Sequence, residues 1–505
     1  MMRIILLTLI SIISLSGASQ DVDFSKLNTE IAKARKEHKI PGLAIGIIKD
    51  GQIAFQSSYG YVKAGETLKA NTSSLYGIAS LSKAFTAAAM GMLVEEGKVK
   101  WTDKVTDILP NWKLSDPAVT AMFTVEDLLC HRSGLKTFDG DLLWYGTNYS
   151  REEIITRIQY LPLSYEYRAG FGYQNIMYIT AGEVIEEISG MSWDDFVKSR
   201  ILKPLSMFKT TTSITQFKDN YSIAYPHLKG VPQELLNYDN SGATAAMNSN
   251  VVDMQKWIIF LLNEGVSDEG DTLMQAKTIR KLWSVMNPLP VGRYDESIGV
   301  HFKGYGMGWF VQDYQGYKLI NHGGGLPGYI TKVALVPELD LGFVILTNDM
   351  SPVCTALMYE IIDLYAGEKN GKDWTADYAK YTHKSDSMSA VKATEQDAAR
   401  NTETQPSTEL LNYAGTYKDT YYGNATVTVV GKGKKAKLQL VLEPAKDLFT
   451  ATMDHWENDE FVFKFNDEFL PRGFAKFEVK EGKVVGFKID LPNPDFHFSN
   501  LDFKR

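Results

Sequence analysis

The chain is poor in the residues that staple or metallate small proteins. It has two cysteines in 505 residues, Cys130 and Cys354, and no Cys-x-x-Cys pair. A disulfide-dense scaffold and a thiolate metal site therefore have no basis, and both cysteines read as small buried residues. The eight histidines include no His-Glu-x-x-His, so no metal centre or other cofactor is expected. Basic residues are also in deficit: 53 Lys and Arg stand against 61 Asp and Glu, giving a formal charge of -8. That balance argues against a nucleic-acid surface, and the short basic run from Lys432 to Lys437 does not reverse it. Beyond the N-terminus no apolar run approaches the ~20 residues needed to cross a bilayer, so an integral membrane protein is not expected. No internal repeat is present, and no Gly-x-Ser-x-Gly pentapeptide occurs.

The N-terminus has its own character. Arg3 precedes a mostly apolar stretch from Ile4 to Leu15, and Ser16-Gly17-Ala18 follows as a small-residue cleavage site. This is the pattern of a secretory signal, which predicts a secreted or periplasmic protein and a mature chain beginning near residue 19. GLAIGIIKDGQIAFQSSYGY reads as two strands joined at Lys49-Asp50-Gly51. The stretch Tyr76 to Glu96 carries apolar residues at helical spacing (Leu81, Ala84, Phe85, Ala88, Met92, Leu93), with Gly97 placed to stop it. Thr124 to Leu129 opens as a helix cap, and His131 in LLCHRSGL, beside a turn, reads as structural. Tyr173 to Gly190 is a polar tripeptide followed by a helical stripe of Ile176, Ile179, Val184 and Ile188. Later, YGMGWFVQ, YKLINHGGGLPGYITKVALVPE and LGFVILTND read as three strands with turns, after which Val353 to Ala366 is helical. Strands at both ends with helices between them predict one α+β domain over residues 19–372. Residues 373–408 are polar and read as a linker or solvated helix, and 409–505 alternate in short runs as an antiparallel β meander or small barrel. The meander reads as a stability or docking module, the alternative being a role in shaping the active site, with Trp456, Phe461, Phe463, Phe474 and Phe498 as its core.

Three separated elements carry the candidate chemistry. Ser80 and Lys83 form a Ser-x-x-Lys at a helix start, where a spacing of three puts hydroxyl and amine on one face. A hydroxyl is a weak nucleophile until a neighbouring base takes its proton, and a lysine serves as that base only when its pKa is depressed. Tyr173-Gln174-Asn175 follows in the helical region, and His322-Gly323-Gly324 lies in a predicted strand. A Ser-x-x-Lys, a Tyr-x-Asn and a Lys/His-x-Gly in that order are the motifs of the penicillin-recognising serine hydrolases. The chain resembles the class C β-lactamase-like, or penicillin-binding-protein-like, family from about Ser25 to Ala366, and its C-terminal meander resembles the lipocalin-like barrel appended to some members.

The resemblance implies a β-lactamase/DD-peptidase-like fold and an acyl-enzyme mechanism without cofactor. Ser80 is the implied nucleophile, Lys83 its base or proton carrier, and Tyr173 the proton donor to the leaving group, useful if cationic neighbours such as Lys83 lower its pKa. Asn175 is expected to bond Lys83 and the substrate amide. The oxyanion is expected between the backbone N–H groups of Ser80 and Gly325, with Gly323 and Gly324 beside it. His322 and Gly323 stand where β-lactamases usually have Lys and Thr, which weakens substrate-carboxylate capture. The expected substrate is therefore a small peptide, amide or ester, with peptidase or esterase activity favoured over efficient β-lactamase activity. The alternative is a non-catalytic protein that recognises cell-wall peptide or another exported ligand. The string His322 to Gly325 also imitates the HGGG oxyanion loop of α/β-hydrolases, but the missing Gly-x-Ser-x-Gly elbow excludes that fold.

Overall fold

The computed structural model describes residues 22–367 and 371–505; the proposed signal segment lies outside the described residues. Helix α1 (Phe24–Glu37) leads into strands β1 (Gly42–Lys49) and β2 (Gln52–Gly60). Asp50 and Gly51 join them with positive φ at both positions, 52° and 69°, the geometry that matches the twist of a hairpin. Helix α2 (Ser82–Glu95) follows, then α3 (Val125–Leu129) and α4 (Asn175–Ser189). The sheet resumes with β3 (Asn287–Leu289), β4 (Lys303–Tyr305), β5 (Phe310–Tyr314), β6 (Tyr317–Leu326), β7 (Tyr329–Val336) and β8 (Leu341–Thr347), and α5 (Val353–Ala366) closes the unit. The order β2-β1-β8-β7-β6-β5-β4-β3 builds one antiparallel sheet from the chain's two ends.

The sequence reading needs correction in this sheet. YKLINHGGGLPGYITKVALVPE is not one strand but the β6–β7 hairpin, turning at Pro327-Gly328, with Gly328 at φ 85°. Proline followed by glycine is a turn signal, and the apolar residues on either side obscured it. Strands β3 and β4 escaped notice because three residues each are too few to show alternation.

Each face of the sheet buries its own cluster. Leu43, Ile45, Ile47 and Phe343 pack with α1 and α5 on one side, while Val333, Val344 and Leu346 face α2, α4 and the helical region on the other. Helix α2 is buried on every side from Ser82 to Leu93, so its apolar stripe is part of a helix with no solvent face.

Helix α3 anchors the loop beneath the site. Asp127 has no exposed surface and accepts from Arg132 Nε at 2.6 Å, Arg168 Nη2 at 2.6 Å and the Tyr167 hydroxyl. Burial by itself raises its pKa, but the bond from Arg168, those from Thr124 and Tyr167, and the Arg132 charge outweigh it and hold the carboxyl well below its ordinary range.

After α5, Trp374 starts helix α6 (Trp374–Ala398); its indole N–H donates to Asp363 Oδ2 at 2.8 Å, and the rest of the helix is largely exposed. Strands β9 (Gly415–Asp419), β10 (Gly423–Val430), β11 (Lys437–Leu442), β12 (Thr450–Glu457), β13 (Glu460–Phe463), β14 (Gly473–Lys480), β15 (Lys483–Asp490) and β16 (Asp502–Lys504) form a closed antiparallel barrel. Phe461, Phe463 and Phe498 are buried inside, whereas Trp456 and Phe474, expected in the same core, pack against each other on the outer face beneath Arg400 and Arg472, because the inward positions of β14 fall on Gly473, Ala475 and Phe477. The barrel docks on residues 139–149. The Tyr145 hydroxyl donates to Asp467 at 2.8 Å, His497 Nδ1 meets Asp139 Oδ1 at 2.9 Å, and the Tyr145 and Phe496 rings stack at 4.1 Å. No helix among the described residues is long and apolar enough to cross a membrane.

Asp127→Asn removes the charge that two arginines share, and a loss of about 3 kcal/mol in unfolding free energy is expected. Because the carboxyl is held below its unfolded value, this stability exists above the ordinary carboxylate range and is lost as pH falls through the folded pKa. Denaturation measured by circular dichroism at pH 7 and pH 3 checks it; an equal gap between wild type and variant at both pH values contradicts it.

Candidate active site

Ser80 sits in the 3-10 turn Ala79–Leu81 that feeds α2. Ala79 holds φ at 50°, a left-handed conformation that costs a non-glycine residue on the order of 1 kcal/mol. The kink sets Ser80 at the head of the helix, where first-turn N–H groups lack intrahelical acceptors. Lys83 lies one turn on with no exposed surface. Its Nζ is 3.0 Å from Ser80 Oγ, 2.7 Å from Asn175 Oδ1 and 3.2 Å from the Thr244 carbonyl.

Burial drives the Lys83 pKa well below the ordinary lysine value, against the pull of Asp141. A neutral amine has two hydrogens and one lone pair. Asn175 Oδ1 and the Thr244 carbonyl accept the hydrogens, which leaves the lone pair facing the Ser80 hydroxyl.

Asn175, the first residue of α4, is oriented from both ends. Its Oδ1 accepts from Lys83 and from the Thr244 hydroxyl at 2.9 Å, and its Nδ2 donates to Asp141 Oδ2 at 2.5 Å. Asp141 escaped the sequence reading, since a lone aspartate in a loop has no motif. Burial pushes its pKa up to about 8, and Asn175 and Lys83 only partly oppose that.

Tyr173 lies beside this network, with the Lys83 amine 4.9 Å from its ring centroid. The expectation that cationic neighbours lower its pKa is overturned. Burial raises it well above the ordinary phenol value, with only the Ser80 hydroxyl opposing, because Lys83 is itself driven toward its neutral form. Behind Tyr173, His131 accepts from Gln174 N at 3.0 Å, its ring 4.2 Å from the tyrosine ring. His131 is buried, and desolvation keeps it uncharged, consistent with a structural buttress.

His322 is brought to the same cleft from β6. Its Nδ1–H donates to its neighbour's carbonyl, Gly323 O, at 2.7 Å, and its Nε2 accepts from the Tyr305 hydroxyl at 3.1 Å. Burial, followed by the neighbouring Lys83, lowers its pKa to about 3, so the ring is neutral at physiological pH and not partly charged. Strand β5 begins at Phe310 opposite Asn321, so residues 322–326 of β6 form a free edge. The two-residue turn makes Leu326 and Tyr329 the hydrogen-bonded closing pair. Antiparallel alternation then points the backbone groups of Gly323 and Gly325 away from β7, toward the open edge. At Gly324 a Cβ would come within 2.2 Å of Thr331 Oγ1 and 2.3 Å of the Ile78 carbonyl, so glycine is what lets β6 lie against the Ser80 turn.

Ser80, Tyr173, Asn175, His322, Gly323 and Gly325 thus line one cleft of about 540 Å³, with Lys83 directly behind Ser80. The barrel supplies part of its wall through Phe469, Asp495 and Phe496. Of the two readings of the barrel, a stability or docking module and a role in shaping the site, the presence of its loops in the cleft wall favours the second.

Gly324→Ala forces the strand off the Ser80 turn. A loss of about 1–3 kcal/mol in stability is expected with a larger loss of Ser80 reactivity. Thermal unfolding alongside the rate of labelling by a fluorophosphonate reads both; an unchanged labelling rate contradicts the close approach.

A family model described as Beta-lactamase matches residues 27–366, and one described as a domain of unknown function, DUF3471, matches 399–505. The chain is 28% identical over 479 residues to the Unguisins hydrolase ungD of Aspergillus violaceofuscus (strain CBS 115571), spanning 86% of this chain and 80% of that one. It is 26% identical over 330 residues to Protein flp of Staphylococcus aureus (strain MW2), covering 64% of this chain and 62% of that protein. Among solved structures, the octameric penicillin-binding protein homologue from Pyrococcus abyssi aligns with a TM-score of 0.61 at 21% identity, over 96% of this chain and 100% of that chain, a likeness of fold. With the model match spanning most of its length, the chain belongs to the beta-lactamase family of serine hydrolases.

Proposed function

We propose that this protein is an exported serine hydrolase that cleaves an amide or ester bond in a small substrate through an acyl-enzyme on Ser80. The observation that carries the reading is the buried Lys83 amine, its hydrogens occupied by Asn175 and Thr244 and its remaining face on Ser80 Oγ at 3.0 Å. In the first step Lys83 takes the Ser80 proton as Oγ bonds to the substrate carbonyl carbon. The oxyanion lies between the N–H groups of Ser80 and Gly325, each such donor being worth about 3 kcal/mol in acyl transfer. Tyr173, kept as a phenol by burial, gives its proton to the leaving nitrogen or oxygen as the carbonyl re-forms, and recovers a proton from the Lys83 ammonium. Water then attacks the Ser80 ester, losing a proton to Lys83, and Lys83 returns that proton to Ser80 Oγ as the acyl–oxygen bond breaks and the acid leaves. The neutral His322 offers no cation where β-lactamases usually have one, which supports a peptidase or esterase over an efficient β-lactamase. The apolar N-terminal segment supports an exported location.

Fluorophosphonate labelling tests the nucleophile. Wild type is expected to form one covalent adduct that is absent in Ser80→Ala, and Lys83→Met is expected to slow labelling by about 10²- to 10⁴-fold. No adduct on the native protein, or an adduct retained in Ser80→Ala, sinks the hydrolase reading in favour of a non-catalytic binder.

The pH profile follows from the same shifts. Lys83 must be neutral to accept a proton, so kcat/KM rises with pH through a limb well below the ordinary lysine range. Tyr173 must keep its proton, and its raised pKa moves the alkaline fall beyond the ordinary phenol value near 10. Ester hydrolysis measured across pH 5 to 10 checks both limbs; a rate that declines between pH 8 and 10 without unfolding contradicts the assignment.

A further inference from the structure

Helix α6, 25 residues and about 38 Å long, ties the catalytic unit to the barrel. At its start the Trp374 indole is held by Asp363 of α5. Near its end the Arg472 guanidinium of the barrel donates to Asp397 at 2.6 Å and to the Ala393 carbonyl at 3.2 Å, and Arg400, just past the helix, donates to the Trp456 carbonyl at 2.9 Å. Between these anchors the helix is bare: every residue from His383 to Ala399 is exposed. Such a span gains little in water by itself, because helices in proteins draw most of their stability from packing.

The large apolar side chains between Ala379 and Ala399 are Tyr381, Met388 and Val391, and they are 70%, 63% and 56% exposed. All three fall on one stripe, on the side of the helix away from Ala393 and Asp397, which meet the barrel. Lys384, Glu395 and Ala398 complete that stripe. From Tyr381 to Ala398 its members alternate at spacings of three and four, the seam of a two-stranded coiled coil. Lys384 and Glu395 are exposed, and neither forms an ion pair with a described residue. Charged residues in a seam weaken it unless they meet opposite charges, and so they select one pairing of the helices.

We propose that two copies of this chain associate through α6, antiparallel and about a two-fold axis between Ser389 and Ala390. In that register Met388 meets Val391 of the second copy, Lys384 meets Glu395 and Tyr381 meets Ala398, and the symmetry makes each contact twice. Apolar groups face apolar groups, opposite charges face each other, and the largest side chain faces a small one. Beside the seam Lys392 comes opposite Ser387 and Lys380 opposite Ala399, so no like charges oppose. A parallel pair in register instead sets Lys384 against Lys384 and Glu395 against Glu395. Antiparallel pairing gives the bare helix the packing it lacks and takes Tyr381, Met388 and Val391 out of water. One helix pair is a small interface, which makes this a weak, reversible dimer.

Sedimentation velocity on the purified chain tests the pairing. Over loading concentrations from about 1 to about 200 μM, wild type is expected to pass from monomer to dimer with a Kd on the order of 10 μM. Lys384→Glu and Glu395→Lys each set like charges against each other twice, and each is expected to raise Kd by about tenfold or more. The double variant Lys384→Glu/Glu395→Lys restores both pairs with their polarity reversed, and its Kd is expected to return to within about threefold of wild type. Met388→Glu is expected to leave the chain monomeric throughout. These side chains are exposed, so circular dichroism is expected to show the same helix content and the same thermal unfolding in every variant at a concentration where all are monomers. A wild type that stays monomeric overturns the proposal. So do single reversals that leave association unchanged, the result for a parallel pair or a contact elsewhere on the surface, and a double variant that fails to recover it.

Discussion

The site depends on keeping one amine out of water. Lys83 lies inside a helix that is buried on every side, and desolvation disfavours its charge more strongly than the nearby Asp141 favours it. The neutral amine is then both a base and a directional one, because Asn175 and the Thr244 carbonyl hold its hydrogens. The same exclusion of water raises Asp141 and Tyr173 and lowers His322, so each group rests in its uncharged form. Uncharged groups at hydrogen-bonding distance can pass a proton along without first separating ions in a low-dielectric pocket.

The rest of the chain maintains that exclusion. Helices α2 and α4 bring Ser80, Lys83 and Asn175 together, and the kink at Ala79 with the bare backbone of Gly324 lets β6 close against them. His131, carried by the loop that Asp127 anchors through Arg132 and Arg168, backs Tyr173 and caps the Gln174 N–H. The barrel completes the wall with Phe469, Asp495 and Phe496, and its docking on residues 139–149 sits next to Asp141. Barrel and catalytic unit therefore share one apolar cluster. A loosening of the barrel would admit water beside the groups whose neutrality the chemistry uses.

Much of the architecture was legible because it rests on local rules. The Asp50-Gly51 hairpin, the ends of α2 and α4 at Gly97 and Gly190, and the alternation of the barrel strands are written in turn chemistry and side-chain period. The three motifs were legible as a set because Ser80 with Lys83, Tyr173 with Asn175, and His322 with its glycines each keep a short fixed spacing. What escaped lacked a local pattern: the short strands β3 and β4, the lone Asp141 and the barrel loop around Phe496.

By itself, then, the sequence determined the candidate nucleophile and base, Ser80 and Lys83, and the elements that carry them, since the two sit one helical turn apart. Only the tertiary structure decided their protonation. The Tyr173 pKa moves up and not down, and His322 is neutral and not partly charged, because burial depends on neighbours hundreds of residues away.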